Sequence, residues 1–104
     1  MTLQAILNMI NRQREFTHII LLRKLKDLSP EECVQVAQAL TTCPNLTYLD
    51  LGFNNFGRLA EHAPQFAAAL AASTNLTTLN LGDNILENLA GDAPQFAEEL
   101  AKSK

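Results

Sequence analysis

The sequence predicts an α/β fold: a short right-handed solenoid of three strand–helix repeats, its strands forming one parallel sheet, with an N-terminal helical cap. Three observations predict it. The chain matches itself at an offset of 30 residues. Each unit changes from a period of 2 to a period of 3.6. A separate amphipathic stripe precedes the first unit. The 104 residues allow one domain, divided here into a cap at 1–15 and units at 16–45, 46–75 and 76–104.

The cap comes first. Thr2 is placed to cap a helix in which Leu3, Ile6, Leu7 and Ile10 share one face. Asn8, Asn11, Arg12 and Arg14 fall mostly outside that stripe, and the helix is expected to shield the first strand. A solenoid needs such shielding because a terminal repeat otherwise presents an unstacked apolar edge.

The first unit is degenerate. Phe16, Ile19 and Leu21 lie over Leu46, Leu49 and Leu51 of the second, and Lys24 stands at the position of Asn54. Its register is open by one residue, since Ile20, Leu22 and Leu25 would serve nearly as well. Ser29-Pro30-Glu31-Glu32 reads as a helix start: Ser caps, Pro occupies the first turn and Glu32 reaches back. Cys33 begins that helix and Cys43 follows it, more than about 10 Å away along the axis, too far for a disulfide. Both are expected to be small buried hydrophobes.

The second and third units carry the strongest signal. Residues 45–73 and 75–103 share 17 identities in 29 positions. Leu49 and Leu51 alternate inward from a strand, and after a turn at Asn54 the residues Ala63, Phe66, Ala67 and Leu70 recur on one helical face. Pro64 sits near the helix start, where its missing N–H does no harm. Each unit has too little apolar surface to close a core alone, so the units must stack.

Leu-x-x-Leu-x-Leu-x-x-Asn-x-(Phe or Leu), at 46–56 and 76–86, resembles the leucine-rich repeat signature. The unit length and second-half helix are similar to the ribonuclease-inhibitor-like subclass. The Ala-rich helices resemble those of bacterial effectors that act inside host cells. The resemblance implies a non-catalytic protein-binding scaffold, because that fold serves many recognition tasks. Asn54 and Asn84 then have a structural role, since a buried amide can bridge backbone groups of neighbouring units.

Alternation puts Tyr48, Asp50 and Gly52 on the concave face, with Thr78, Asn80 and Gly82 beside them and Phe53 and Asp83 at the flank. Tyr48, Asp50, Phe53, Thr78, Asn80 and Asp83 are the expected partner-binding residues. His18, Ile20 and Leu22 extend this surface unless a one-residue slip turns the aliphatics inward. The loop Phe53-Asn54-Asn55-Phe56-Gly57-Arg58 is expected to enlarge it. The third unit looks uncapped, leaving Leu79, Leu81, Leu86 and Phe96 with neighbours on one side. Its edge is expected to form a homodimer or to continue into a longer array, the structural alternative to partner binding.

Other functions find little in the residues. His18 and His62 are the only imidazoles, no His or Cys pair has metal-ligand spacing, and no strand–Ser–helix elbow is present. No cofactor or metal is expected. The net charge of -3 does not invite nucleic acid, although residues 1–28 carry five basic and two acidic groups. The longest apolar run, Phe66 to Ala72, is too short to span a membrane. Met1 to Phe16 lacks the pattern of a signal peptide, so the expected location is cytoplasmic, or a host cell if the chain is an effector.

Overall fold

The computed structural model describes residues 2–73 and 75–82. Its elements run α1 (Leu3–Arg12), β1 (His18–Ile20), α2 (Pro30–Leu40), β2 (Tyr48–Asp50), a 3-10 helix (Phe56–His62), α3 (Ala63–Ala71) and β3 (Thr78–Asn80). The three strands form one parallel sheet in the order β1-β2-β3. This is a small α/β repeat fold.

Local chemistry starts each helix. Thr2 Oγ1 accepts the Ala5 N–H at 3.2 Å, and Arg12 in the last turn of α1 complements the helix dipole. At α2 the capping box closes both ways: Ser29 Oγ accepts the Glu32 N–H at 3.2 Å, and Glu32 Oε1 accepts the Ser29 N–H at 3.0 Å. Ser29→Ala is expected to cost about 1 kcal/mol, a melting temperature lower by roughly 5 °C in a circular-dichroism melt. An unchanged melt would mean that α2 does not depend on this cap. Pro64 lies in the first turn of α3.

Register follows the internal repeat. His18 pairs with Tyr48 and Tyr48 with Thr78; Ile19, Leu49 and Leu79 form the next row, and Ile20, Asp50 and Asn80 the third. Side chains alternate between the two faces of the sheet. Ile19, Leu49 and Leu51 point inward and are buried, where they join Cys33, Val36, Ala37 and Leu40 of α2 and Ala63, Phe66, Ala67 and Leu70 of α3. The Phe56 and Phe66 rings meet at 4.7 Å in a tilted pair inside this core.

The first unit departs from its copies in three ways. Phe16, expected in the seat of Leu46, is 52% exposed while Leu46 is buried. The turn out of α1 accounts for it: the Phe16 N–H donates to Gln13 O at 2.9 Å, and the side chain stays outside. Second, α1 packs against α2 with Ile6 and Ile10 in the same buried cluster as Ile19, while Ile20 on the other face of β1 stays 48% exposed. Third, a one-residue slip does occur, but beyond the strand. Leu25 and Leu28 are buried in the roles of Phe56 and Leu59, one position early, and the offset of 30 returns at Cys33 and Ala63.

Asn54 is fully buried between units. Its Oδ1 accepts the Leu25 N–H at 2.8 Å, while Nδ2 donates to Leu21 O and Leu51 O, both at 3.0 Å. Three buried backbone groups on two units therefore meet one amide. Arg58 makes a second bridge, its guanidinium donating to Leu28 O and, at 2.7 Å, to Leu25 O. Expectations for Asp83, Asn84, Leu86, Phe96 and the third helix concern residues outside those described, while Leu79 and Leu81 are partly buried against the core.

Candidate functional site

The sheet face away from the helices is built from even-numbered strand residues. Because the strands stay in register, His18, Tyr48 and Thr78 lie in one row and Ile20, Asp50 and Asn80 in the next. The His18 and Tyr48 rings stack at 5.2 Å, with 23° between their planes. Thr17 Oγ1 lies 2.8 Å from His18 Nδ1 and holds the imidazole on the same side. Ile20 and Leu22 are 48% and 39% exposed, so the face carries a solvated aliphatic strip beside the aromatic stack.

Each strand leaves this face through a tight turn. Asp50 Oδ1 accepts the Gly52 N–H at 2.9 Å, and Asn80 Oδ1 accepts the Gly82 N–H at 2.8 Å. This Asx geometry commits one oxygen of Asp50 to its own backbone and leaves the other for a partner. Gly52 leaves little room for a side chain: a Cβ there would lie 3.0 Å from Leu22 Cδ1 and 3.1 Å from Asp50 Oδ1, so both would have to give way slightly.

After the turn, Arg23 and Phe53 occupy equivalent left-handed positions, with φ of 62° and 58°. That conformation throws both side chains toward the flank of the sheet. The Arg23 guanidinium lies 4.8 Å from the centre of the Phe53 ring, a cation–π pair between units. The sequence reading named Phe53 but missed Arg23 as its partner. The offset of 30 aligns the two positions, and this was the available signal.

Of the residues expected to bind a partner, Tyr48, Asp50, Phe53, Thr78 and Asn80 lie on or beside one surface, and Asp83 is outside the described residues. The loop from Phe53 to Arg58 contributes less than expected. Asn54 and Phe56 are buried and Arg58 is turned to the backbone of the preceding unit, leaving Phe53 and Asn55 outward. His62 ends the 3-10 helix, with Nε2 3.1 Å from Glu31 Oε1.

The remaining features are chemically quiet. Burial pushes both thiols up from their ordinary pKa; at Cys33 the Arg58 guanidinium partly offsets it, and at Cys43 a hydrogen bond with Thr42 does. Neither thiol is set up as a nucleophile, which requires the thiolate. Among the described residues, no group of three or more His, Cys, Asp and Glu is placed to hold a metal ion, and no helix is long and apolar enough to cross a membrane. An open groove of about 540 Å³ lies between α2 and α3, floored by Val34, Ala68, Ala69 and Ala72 and edged by Gln38, Thr41 and Gln65.

A family model for the leucine-rich repeat matches residues 42–58 and 72–90. The matches bracket β2 and β3 with the turns that follow them, and they support a leucine-rich repeat protein. Such repeats generally mediate protein–protein interaction and typically form non-catalytic modules. Comparison with curated proteins and with solved structures gave no match.

Proposed function

We propose that this chain is a non-catalytic protein-binding module of the ribonuclease-inhibitor-like type, a short solenoid capped by α1. Its partner is a protein, which docks on the concave sheet face through Tyr48, Asp50, Phe53, Thr78, Asn80 and Asp83. The observation that carries this reading is the continuous outer surface of the His18–Tyr48 stack, the exposed Ile20 and Leu22, and the Arg23–Phe53 pair. Aromatic and Arg anchors beside aliphatic surface are the groups that dominate binding energy at interfaces. The two free, buried thiols support a reducing compartment such as the cytoplasm.

Size sets the affinity. Three strands at ~4.8 Å spacing and about five residues at ~3.3 Å cover only ~240 Å² in projection. A standard interface needs roughly 800 Å² on each partner. The flank at Arg23 and Phe53 therefore has to join the contact, and the complex is expected to be of modest affinity.

The test is affinity capture with wild type, Tyr48→Ala and Asp50→Arg, each checked for native circular dichroism. Each substitution is expected to weaken capture of the same partner at least about tenfold. Equal recovery of that partner by all three folded proteins would remove this face from the interface.

A further inference from the structure

We propose that the free edge of β1 is a second binding site, which accepts an extended peptide as an additional parallel strand. The argument starts from a hydrogen-bond pattern that repeats down the sheet. Thr17 O accepts three donors from the next unit: the Thr47 N–H at 2.8 Å, the Tyr48 N–H at 3.0 Å and Thr47 Oγ1 at 3.2 Å. Thr47 O accepts the same three from the unit after it: the Thr77 N–H at 2.9 Å, the Thr78 N–H at 3.0 Å and Thr77 Oγ1 at 3.2 Å. A threonine and the residue after it thus form a three-donor cradle for one carbonyl of the preceding strand.

Thr17 and His18 are the same pair in the first unit, and among the described residues no strand precedes β1. Their N–H groups bond no described backbone carbonyl, and Thr17 Oγ1 turns instead to His18 Nδ1 at 2.8 Å. Both residues are exposed. The sheet also repeats the opposite polarity further along. Asp50 O accepts the Leu21 N–H at 2.8 Å and Gly52 O accepts the Arg23 N–H at 3.0 Å. By the same translation, the carbonyls of Ile20 and Leu22 face an incoming strand. A threonine cradle at the start of β1, followed by these carbonyls, matches the pattern by which each parallel strand of this sheet receives the strand before it.

Side chains and charge define the occupant. Its outward residues would lie beside His18 and Ile20, extending an apolar strip that already includes Phe16 and Leu22. Its single inward residue would meet Ile19, which is buried together with Ile6 and Ile10 of α1. That inward position must therefore be small, Gly or Ala. From Phe16 to Leu22 the edge carries no formal charge, the feature that commonly protects an exposed edge. Before this stretch Arg12 and Arg14 outnumber Glu15, whose carboxylate accepts from Asn45 Nδ2 at 3.2 Å, and Arg23 and Lys24 follow it, which suits a peptide with acidic residues at both ends.

The probe is a capped nine-residue peptide of Val and Thr with Ala at its centre and Asp at both ends, titrated into the full chain and followed by amide NMR. The Thr17, His18 and Ile20 signals are expected to shift saturably, and exchange of the Thr17 and His18 amides to slow at least tenfold. Thr17→Val, which keeps the backbone donors but loses Oγ1, is expected to bind several-fold more weakly with an unchanged fold. Replacing the terminal Asp residues by Lys is expected to weaken binding further. Silence at Thr17 and His18 at millimolar peptide would overturn the proposal, as would shifts confined to Tyr48, Asp50 and Phe53. Equal binding by wild type and Thr17→Val would overturn the cradle. Because Thr78→Arg lies two strands from β1 and leaves the His18–Tyr48 stack in place, its effects separate this site from the sheet face.

Discussion

Asn54→Leu is expected to lower stability by about 3 kcal/mol and the melting temperature by roughly 15 °C. The amide serves the Leu25 N–H and the carbonyls of Leu21 and Leu51, all within 3.0 Å, from a fully buried position. Leucine has similar bulk, so little cavity forms. What is lost is the pairing of three backbone groups that no water can reach in place of the amide. Each buried group left unpaired costs about 1–3 kcal/mol, and partial relaxation of the turn recovers some of this. The neighbouring Asn55 provides the comparison, because it is exposed and has a positive φ of 55°. Asn55→Ala is expected to cost only about 1 kcal/mol, from the left-handed backbone alone. Thermal melts of both variants check the difference, and equal losses would mean that Asn54 acts only through turn conformation.

The second large effect is expected at Arg58. Its guanidinium spans two carbonyls, Leu25 O and Leu28 O, in the turn that leads from β1 into α2. Leu25 O also accepts the Leu28 N–H at 3.0 Å, but Leu28 O, between the sheet and the helix, takes no other backbone donor among the described residues. Charge-assisted bonds of this kind contribute about 1.5–3 kcal/mol each before the cost of desolvating the cation. Arg58→Met is expected to destabilise by about 2–3 kcal/mol in urea denaturation. Arg58→Lys is expected to recover about half, since an ammonium lacks the planar fork that reaches both oxygens. The same substitution reports on Cys33, whose Sγ lies 3.8 Å from the guanidinium. With the cation gone, burial acts on this thiol unopposed, and its pKa is expected to rise further above the ordinary value. A thiolate-absorbance titration of the folded Arg58→Met protein reads that rise directly. A variant as stable as the parent would show that solvent can satisfy Leu28 O.

These two residues also divide what was legible from what was not. An amide recurring after each Leu-x-x-Leu-x-Leu stretch marks Asn54 as a turn residue with both a donor and an acceptor to place. Arg58 has no counterpart at the same position in either neighbouring unit, where Leu28 and Asn88 stand, so periodicity is silent about it. Its partners lie 30 and 33 residues away in the chain, brought close only when one unit rests on another. The sequence reading consequently placed Arg58 on a binding loop, while the structure turns it to the backbone beneath.

By itself, the sequence determined the repeat length, the helix starts at Thr2 and Ser29, and the alternation that puts Tyr48 and Asp50 opposite Leu49. Those signals act over one to four residues, or recur at a fixed interval, and need no knowledge of neighbours in space. Tertiary structure alone decided that Phe16 stays outside, that Leu25 and Leu28 slip by one position, that Arg23 reaches Phe53, and that the donors of Thr17 and His18 meet no carbonyl among the described residues. Each of these depends on which unit, if any, lies beside the first. A residue's own neighbours in the chain carry no record of that contact, because it is set by the distance between stacked strands.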